Sequence, residues 1–281
     1  MKSSSGFSLV ELMITLVLGL VISGAVIQVL VSSNITNTLN QAVSQVQESG
    51  RFITHRLTQE LLEVGRYDGI TTSIDDTVDP VVEAAYVQNH PVAVPGDFVS
   101  DTLLGSTQSG SGSSDTLMVS KLASQDCTGN RHGYLNNDEF HVVNLYYLSG
   151  NEFKCTGYDG RVLRGLKVQT VSPTSVVLLD NVHRFHVQFG VSDTMDVSNG
   201  QTITYITADE VGAYRDQNQQ VVSLRWALLL ASYQNQVQQT TAKKFALLNE
   251  SAISVSTDHY YQVFSKTIAL RNMKNLVRTS G

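Results

Sequence analysis

Between Leu12 and Val31 the sequence carries no charged side chain, and this run constrains the fold more than any other stretch. About 20 residues at a rise of about 1.5 Å make a helix of about 30 Å, the thickness of a bilayer's hydrocarbon core. A secretory signal has a shorter apolar region that ends in its cleavage site. Here a polar leader containing Lys2 ends in Gly6, ahead of the run, so cleavage at that glycine would leave the apolar helix in the mature chain. Glu11 sits at the head of the run, and a carboxylate in hydrocarbon costs several kcal/mol unless something pairs with it. Glu11 therefore needs a partner, snorkelling to headgroups being the alternative.

Beyond Val31 the pattern changes. Ile35, Leu39, Val43, Val46, Gly50, Ile53, Leu57, Leu61 and Val64 recur every three or four residues, with Gln41, Arg51 and Glu60 among the polar residues between them. This is the mark of one apolar stripe on a helix. A single helix from Phe7 to Val64 would reach roughly 85 Å, apolar all round in its first half and amphipathic in its second. Gly65 supplies a stop. Gly50 costs about 1 kcal/mol relative to alanine and permits close packing.

The 281 residues leave room for a domain of roughly 200 beyond this helix, enough to bury a substantial core. The segment from Arg66 to Ser114 is poor in pattern and ends in the tract Gly105–Ser114, which reads as flexible loop. Runs of β-branched, apolar or alternating residues predict strands at 116–123, 140–148, 152–155, 175–179, 185–191, 221–232 and 263–270. In the run from Val221, Leu224, Ala227 and Leu228 would also suit a helix. Together these runs predict an antiparallel sheet with the amphipathic helix on one face, an α+β fold. Cys127 and Cys155 are the two cysteines of the chain. On the exported side of a membrane segment such a pair reads as one disulfide worth about 3 kcal/mol, two free buried thiols being the alternative.

The residues offer little chemistry. The formal charge is −6, or −7 once Lys2 is removed, and no basic patch stands out, so nucleic-acid binding is unsupported. His183 and His186 read as solvated or structural, and His132, His141 and His259 lack the companion spacing of a zinc motif. Asp75, Asp76 and Asp79 read as loop charges. Asp193–Gly200 offers oxygen ligands and a turn glycine but departs from the calcium-loop pattern, and a solvated hairpin loop is the commoner explanation. No cofactor, metal site or catalytic group is expected.

Gly6-Phe7-Ser8-Leu9-Val10-Glu11-Leu12 resembles the processing site of type IV pilins and of the pseudopilins of type II secretion systems. The resemblance implies cleavage between Gly6 and Phe7 by a prepilin peptidase and N-methylation of Phe7. It also implies a contact between Glu11 and the terminal amine of a neighbouring subunit during assembly, which would answer the demand for a partner. The helix-kinking proline of many major pilins has no counterpart here, where Gln28 stands in its place. Ser114–Val119, Ser124–Gly129, Leu179–Val182 with Phe185–Val191, and Thr267–Asn272 are similar to landmarks of PilW-type minor pilins.

That resemblance implies a type IV pilin-like fold divided into a leader (1–6), a transmembrane and assembly half-helix (7–31), an amphipathic half-helix (32–65) and a periplasmic or extracellular β-rich domain (66–281). The implied role is a non-catalytic minor pilin that helps prime pilus assembly. Its partners would be other minor and major pilins and the prepilin peptidase, and it would wait in the bacterial inner membrane before entering the pilus. A minor pseudopilin of a secretion system, or a pilus-tip binding module using the loops at Asp193 or Gly105, are the alternatives.

Overall fold

The computed structural model describes residues 6, 8–68, 74–110, 112–135, 138–193, 200–233 and 241–272. The chain opens with helix α1, Leu9–Leu62. Ser8 caps it: its hydroxyl accepts from the Val10 N–H at 3.3 Å, while Glu11 Oε2 accepts from the Ser8 N–H at 3.1 Å. This reciprocal pair is a capping box, which satisfies two of the orphan donors of a helix start. No break interrupts α1 at Gln28. After Glu63 the chain turns through Gly65, whose φ of 74° lies in the left-handed region. The Gly65 N–H donates to the Ser120 carbonyl at 2.9 Å and so hooks the turn onto the first strand.

Helix α2, Pro80–Asn89, follows, then β1 (Leu117–Ala123), β2 (Phe140–Ser149), β3 (Glu152–Asp159) and the one-turn α3 (Gly160–Leu163). β4 (Thr174–Leu179), β5 (Val182–Val191), β6 (Thr204–Ile206), a 3-10 turn and α4 (Val211–Asp216) come next. The chain continues through β7 (Val221–Ala231), β8 (Lys244–Phe245), β9 (Ile253–Ser254) and β10 (Tyr261–Ala269).

The strands form two four-stranded antiparallel sheets, β1-β2-β3-β4 and β10-β7-β5-β6, plus the β8-β9 ribbon, where the sequence pattern predicts one sheet. The division falls at Asp180-Asn181. Asn181 takes φ 58°, a conformation that asparagine tolerates well, and this corner sends β5 to pair with β7 instead of β4. β7 is central in its sheet and buried along nearly its whole length. Its Leu224, Trp226, Leu228 and Leu230 enter the main core, while Ala227 and Leu229 lie in a cluster with Leu247 and Tyr261. A strand buried on both faces loses its alternation, which is why its sequence also suits a helix.

α1 lies chiefly along β10, with further contacts to β4 and β7. Its buried positions are Ala42, Val46, Gly50, Ile53, Leu57 and Leu61. The stripe read from Ile35 onward thus meets the domain only from Ala42; Ile35 and Leu39 remain 64% and 39% exposed because the sheets do not reach that far. At Gly50 a Cβ would overlap the Phe264 ring of β10, so the missing side chain seats that ring on the helix. Gly50→Val is expected to destabilise the domain by about 1–3 kcal/mol through overpacking, despite valine's better helix propensity. A urea titration followed by the fluorescence of the single tryptophan, Trp226, which is fully buried, measures it.

Tract 105–114, expected to be loose, is tied down at several points. Ser106 is buried and its hydroxyl accepts from the Met118 N–H at 2.8 Å; Asp115 Oδ1, just past the tract, accepts from the Ser109 N–H at 2.9 Å.

Candidate assembly site

The first half of α1 has no cover. Its large apolar residues from Leu9 to Val31 are between 52% and 76% exposed, and its one charged group is Glu11. By length and composition α1 is the one helix among the described residues able to cross a membrane. So long a stripe of bare leucine, valine and isoleucine has to be covered by lipid or by other helices. At its head, Glu11 is held against its own helix cap through the Ser8 N–H. The leader residues 1–5 and Phe7, where cleavage and methylation are expected, lie outside the described residues; Gly6 and Ser8 lie within them.

At the other end of α1 charged groups fasten the helix to the first sheet. Lys121 of β1 donates to Glu60 at 2.9 Å and to Glu63 at 2.8 Å. Burial works to lower its pKa, but Glu60 and Glu63 outweigh that and raise it above the ordinary lysine value. Arg66 pairs with Glu139 at 2.6 Å and donates to the Leu122 carbonyl, also at 2.6 Å. On the domain side Cys127 and Cys155 form a disulfide with Cα atoms 6.4 Å apart, pinning the loop after β1 to strand β3.

Asp75 and Asp79, read as loop charges, are structural. Asp79 caps α2 by accepting from the Val81 N–H at 2.9 Å. Asp75 joins a buried network around Arg161. There Arg161 Nε and Nη2 reach the two oxygens of Glu83 at 2.8 and 2.7 Å, Nη2 also donates to the Asp75 carbonyl at 2.7 Å, and Tyr67 donates to Glu83 at 2.7 Å. Arg161 and Glu83 are fully buried. The sequence carries no signal for this pair, 78 residues apart. The capping box was readable, because Ser8-Leu9-Val10-Glu11 has its spacing.

The histidines are structural too. His132 Nε2 lies 2.8 Å from Asp126, and His186 is buried 3.2 Å from Asp115. His183 is half-buried, with its ring edge-on to Tyr261 at 5.0 Å. Among the described residues no group of three or more histidine, cysteine or acidic side chains is placed to hold a metal. Asp193 is exposed, and residues 194–199 of its loop lie outside the described residues.

His141 is fully buried, and neither ring nitrogen meets a hydrogen-bond partner among the described residues. Burial, reinforced by Arg164, Arg161 and His90, holds its pKa well below the usual histidine range. The folded chain therefore refuses a proton that the unfolded chain accepts below about pH 6.5, so stability falls as pH falls, by up to about 1.4 kcal/mol per pH unit. Urea midpoints at about pH 7.5 and pH 5.5 measure the slope, which His141→Phe should flatten.

Two family models match the sequence. Residues 1–27 match the prokaryotic N-terminal methylation motif. Residues 146–272 match the Type IV Pilus-assembly protein W family, PilW. Among solved structures, a type IV-like pilin from Thermus thermophilus is similar at 10% identity and a TM-score of 0.40, covering 84% of this chain and 98% of that one. No curated protein matches. With its methylation motif at the head of an uncovered apolar helix and an α+β domain behind, the molecule is type IV pilin-like. Within that class the stretch from the end of β2 to the residues after β10 is similar to the PilW family. The landmarks at 179–191 and 267–272 fall inside that match, and those at 114–129 precede it.

Proposed function

We propose that the chain is a non-catalytic minor pilin that helps prime type IV pilus assembly. The observation that carries this reading is the division of α1: one half packed on the domain, the other bare and apolar with a single carboxylate at its head. A prepilin peptidase cuts between Gly6 and Phe7 and Phe7 is N-methylated, leaving residues 7–31 for the inner membrane and 66–281 on its periplasmic side. In a growing fibre the bare half packs against the helices of other minor and major pilins, and Glu11 exchanges its cap for the terminal amine of a neighbour. A carboxylate paired in this way is tolerable away from water, whereas one facing hydrocarbon is a liability.

Deleting the chain is expected to reduce surface pili while protein secretion continues. Intact-mass measurement of sheared fibres should find the chain beginning at methylated Phe7. Normal piliation with failed secretion would move the chain to a secretion pseudopilus, and Met1 retained in fibres would refute processing.

A further inference from the structure

The first sheet has two faces. Leu117, Val119, Tyr146 and Phe153 point into the main core with α1, whereas Met118 and Val143 join Leu163 and Phe98 in a separate cluster on the far face, with Leu145 and Tyr158 packed against it. Beside that second cluster lies a cleft of about 240 Å³ between the loop at residues 100–104, α3 and residues 169–173. Its walls are held in place. The Val99 and Ser100 N–H groups donate to the Leu163 carbonyl at 3.1 and 3.0 Å, the Ser100 hydroxyl donates to the Val162 carbonyl at 2.6 Å, and Leu166 N–H reaches the Arg161 carbonyl at 2.8 Å.

Next in the chain to the lining residues Ser100, Leu104 and Gln169 are Val99, Leu103 and Val168, 77%, 84% and 83% exposed. Aliphatic side chains so bare, adjoining the lining of a concavity, mark a protein-contact surface. The lining combines apolar walls from Leu104, Val162 and Val171 with the exposed carboxylate of Asp101 and the ring of Tyr158. Asp101 accepts from the Leu103 N–H at 3.1 Å, and no cation pairs with it among the described residues. Burial, Tyr147 and Asp101 together raise the pKa of the Tyr158 hydroxyl, so the Asp101 charge is felt inside the cleft. The nearby cation Lys167 is committed elsewhere, to Asp159 at 2.9 Å and the face of Tyr134 at 3.6 Å.

We propose that this cleft receives an arginine or lysine side chain presented by a partner protein. The apolar walls take the aliphatic stem, Asp101 pairs with the charged head, and Val99, Leu103 and Val168 form the rim that excludes water. A long cationic side chain filling a pocket inside an apolar rim is how interfaces concentrate binding energy. Complementarity to a chain of net charge −6 favours such a partner.

The test titrates N-acetyl-arginine amide and N-acetyl-norleucine amide into the full chain in detergent micelles, following valine and leucine methyl resonances. Saturable shifts at Leu104, Val162 and Val171 are expected, with the arginine probe binding at least fivefold more tightly. Asp101→Asn retains an oxygen for the Leu103 N–H while removing the charge. It should bring the arginine probe down to the norleucine level without moving the thermal midpoint. Absence of saturable shifts, equal binding of the two probes, or an unchanged arginine affinity in Asp101→Asn would each overturn the proposal.

Discussion

Arg161→Ala is expected to lower the unfolding free energy of the domain by about 3–5 kcal/mol, because it leaves Glu83 buried without its bidentate partner, and Arg164, 3.6 Å away, is too distant to replace those two hydrogen bonds. Glu83 would keep the Tyr67 hydroxyl, at 2.7 Å, and the more distant Arg164, at 3.6 Å. The segment at Asp75 and Thr77 would also lose its tie to α3, since both accept from Arg161. Trp226 fluorescence in urea measures the loss. A double variant, Arg161→Met with Glu83→Leu, should recover much of it, since replacing a buried ion pair by apolar groups of similar size is often neutral. A single Arg161→Ala variant as stable as the parent would show that the network contributes nothing net.

That network also shows where sequence reading stops. The apolar run, the stripe and most strands were legible because each is a local periodicity: Leu12–Val31 without charge, steps of three and four from Val46 to Leu61, β-branched alternation in Phe185–Val191. The pairing of Arg161 with Glu83 depends on α2 and α3 meeting across the first sheet, which no local pattern announces. α2 itself carried a readable start, Asp79 followed by proline at the first helical position, hidden in a segment that otherwise lacks pattern. The split into two sheets turned on one left-handed asparagine. At the assembly site the chemical type of every group could be read. The acceptor role of Glu11 at the Ser8 N–H was signalled by the capping-box spacing Ser8-Leu9-Val10-Glu11, and the structure closes that bond at 3.1 Å.

Glu11→Ala should leave membrane insertion intact and cut incorporation into fibres by at least about tenfold. Truncating one partner of a desolvated ion pair costs about 2–5 kcal/mol, and each 1.4 kcal/mol is about a factor of ten. The readout is the share of tagged chain recovered with sheared fibres relative to the membrane fraction. Glu11→Gln separates the two tasks of this side chain. Glutamine can complete a capping box, so it preserves the helix start while removing the charge. Loss of incorporation in both variants assigns the effect to charge; loss in alanine alone assigns it to the cap; normal incorporation of both removes Glu11 from assembly.

Between the bare run and the first buried position, Ala42, lie Ser32–Gln41, ten residues of which six are serine, threonine or asparagine in the stretch to Thr38. The hydroxyls of Thr36 and Thr38 fold back onto the carbonyls of Ser32 and Asn34 at 2.9 and 2.7 Å. Such back-bonds loosen and bend helices. This stretch is therefore a neck about 15 Å long. It sets the bare apolar half of α1 apart from the packed half by about three helical turns, so whatever covers the one half stops short of the sheets that cover the other.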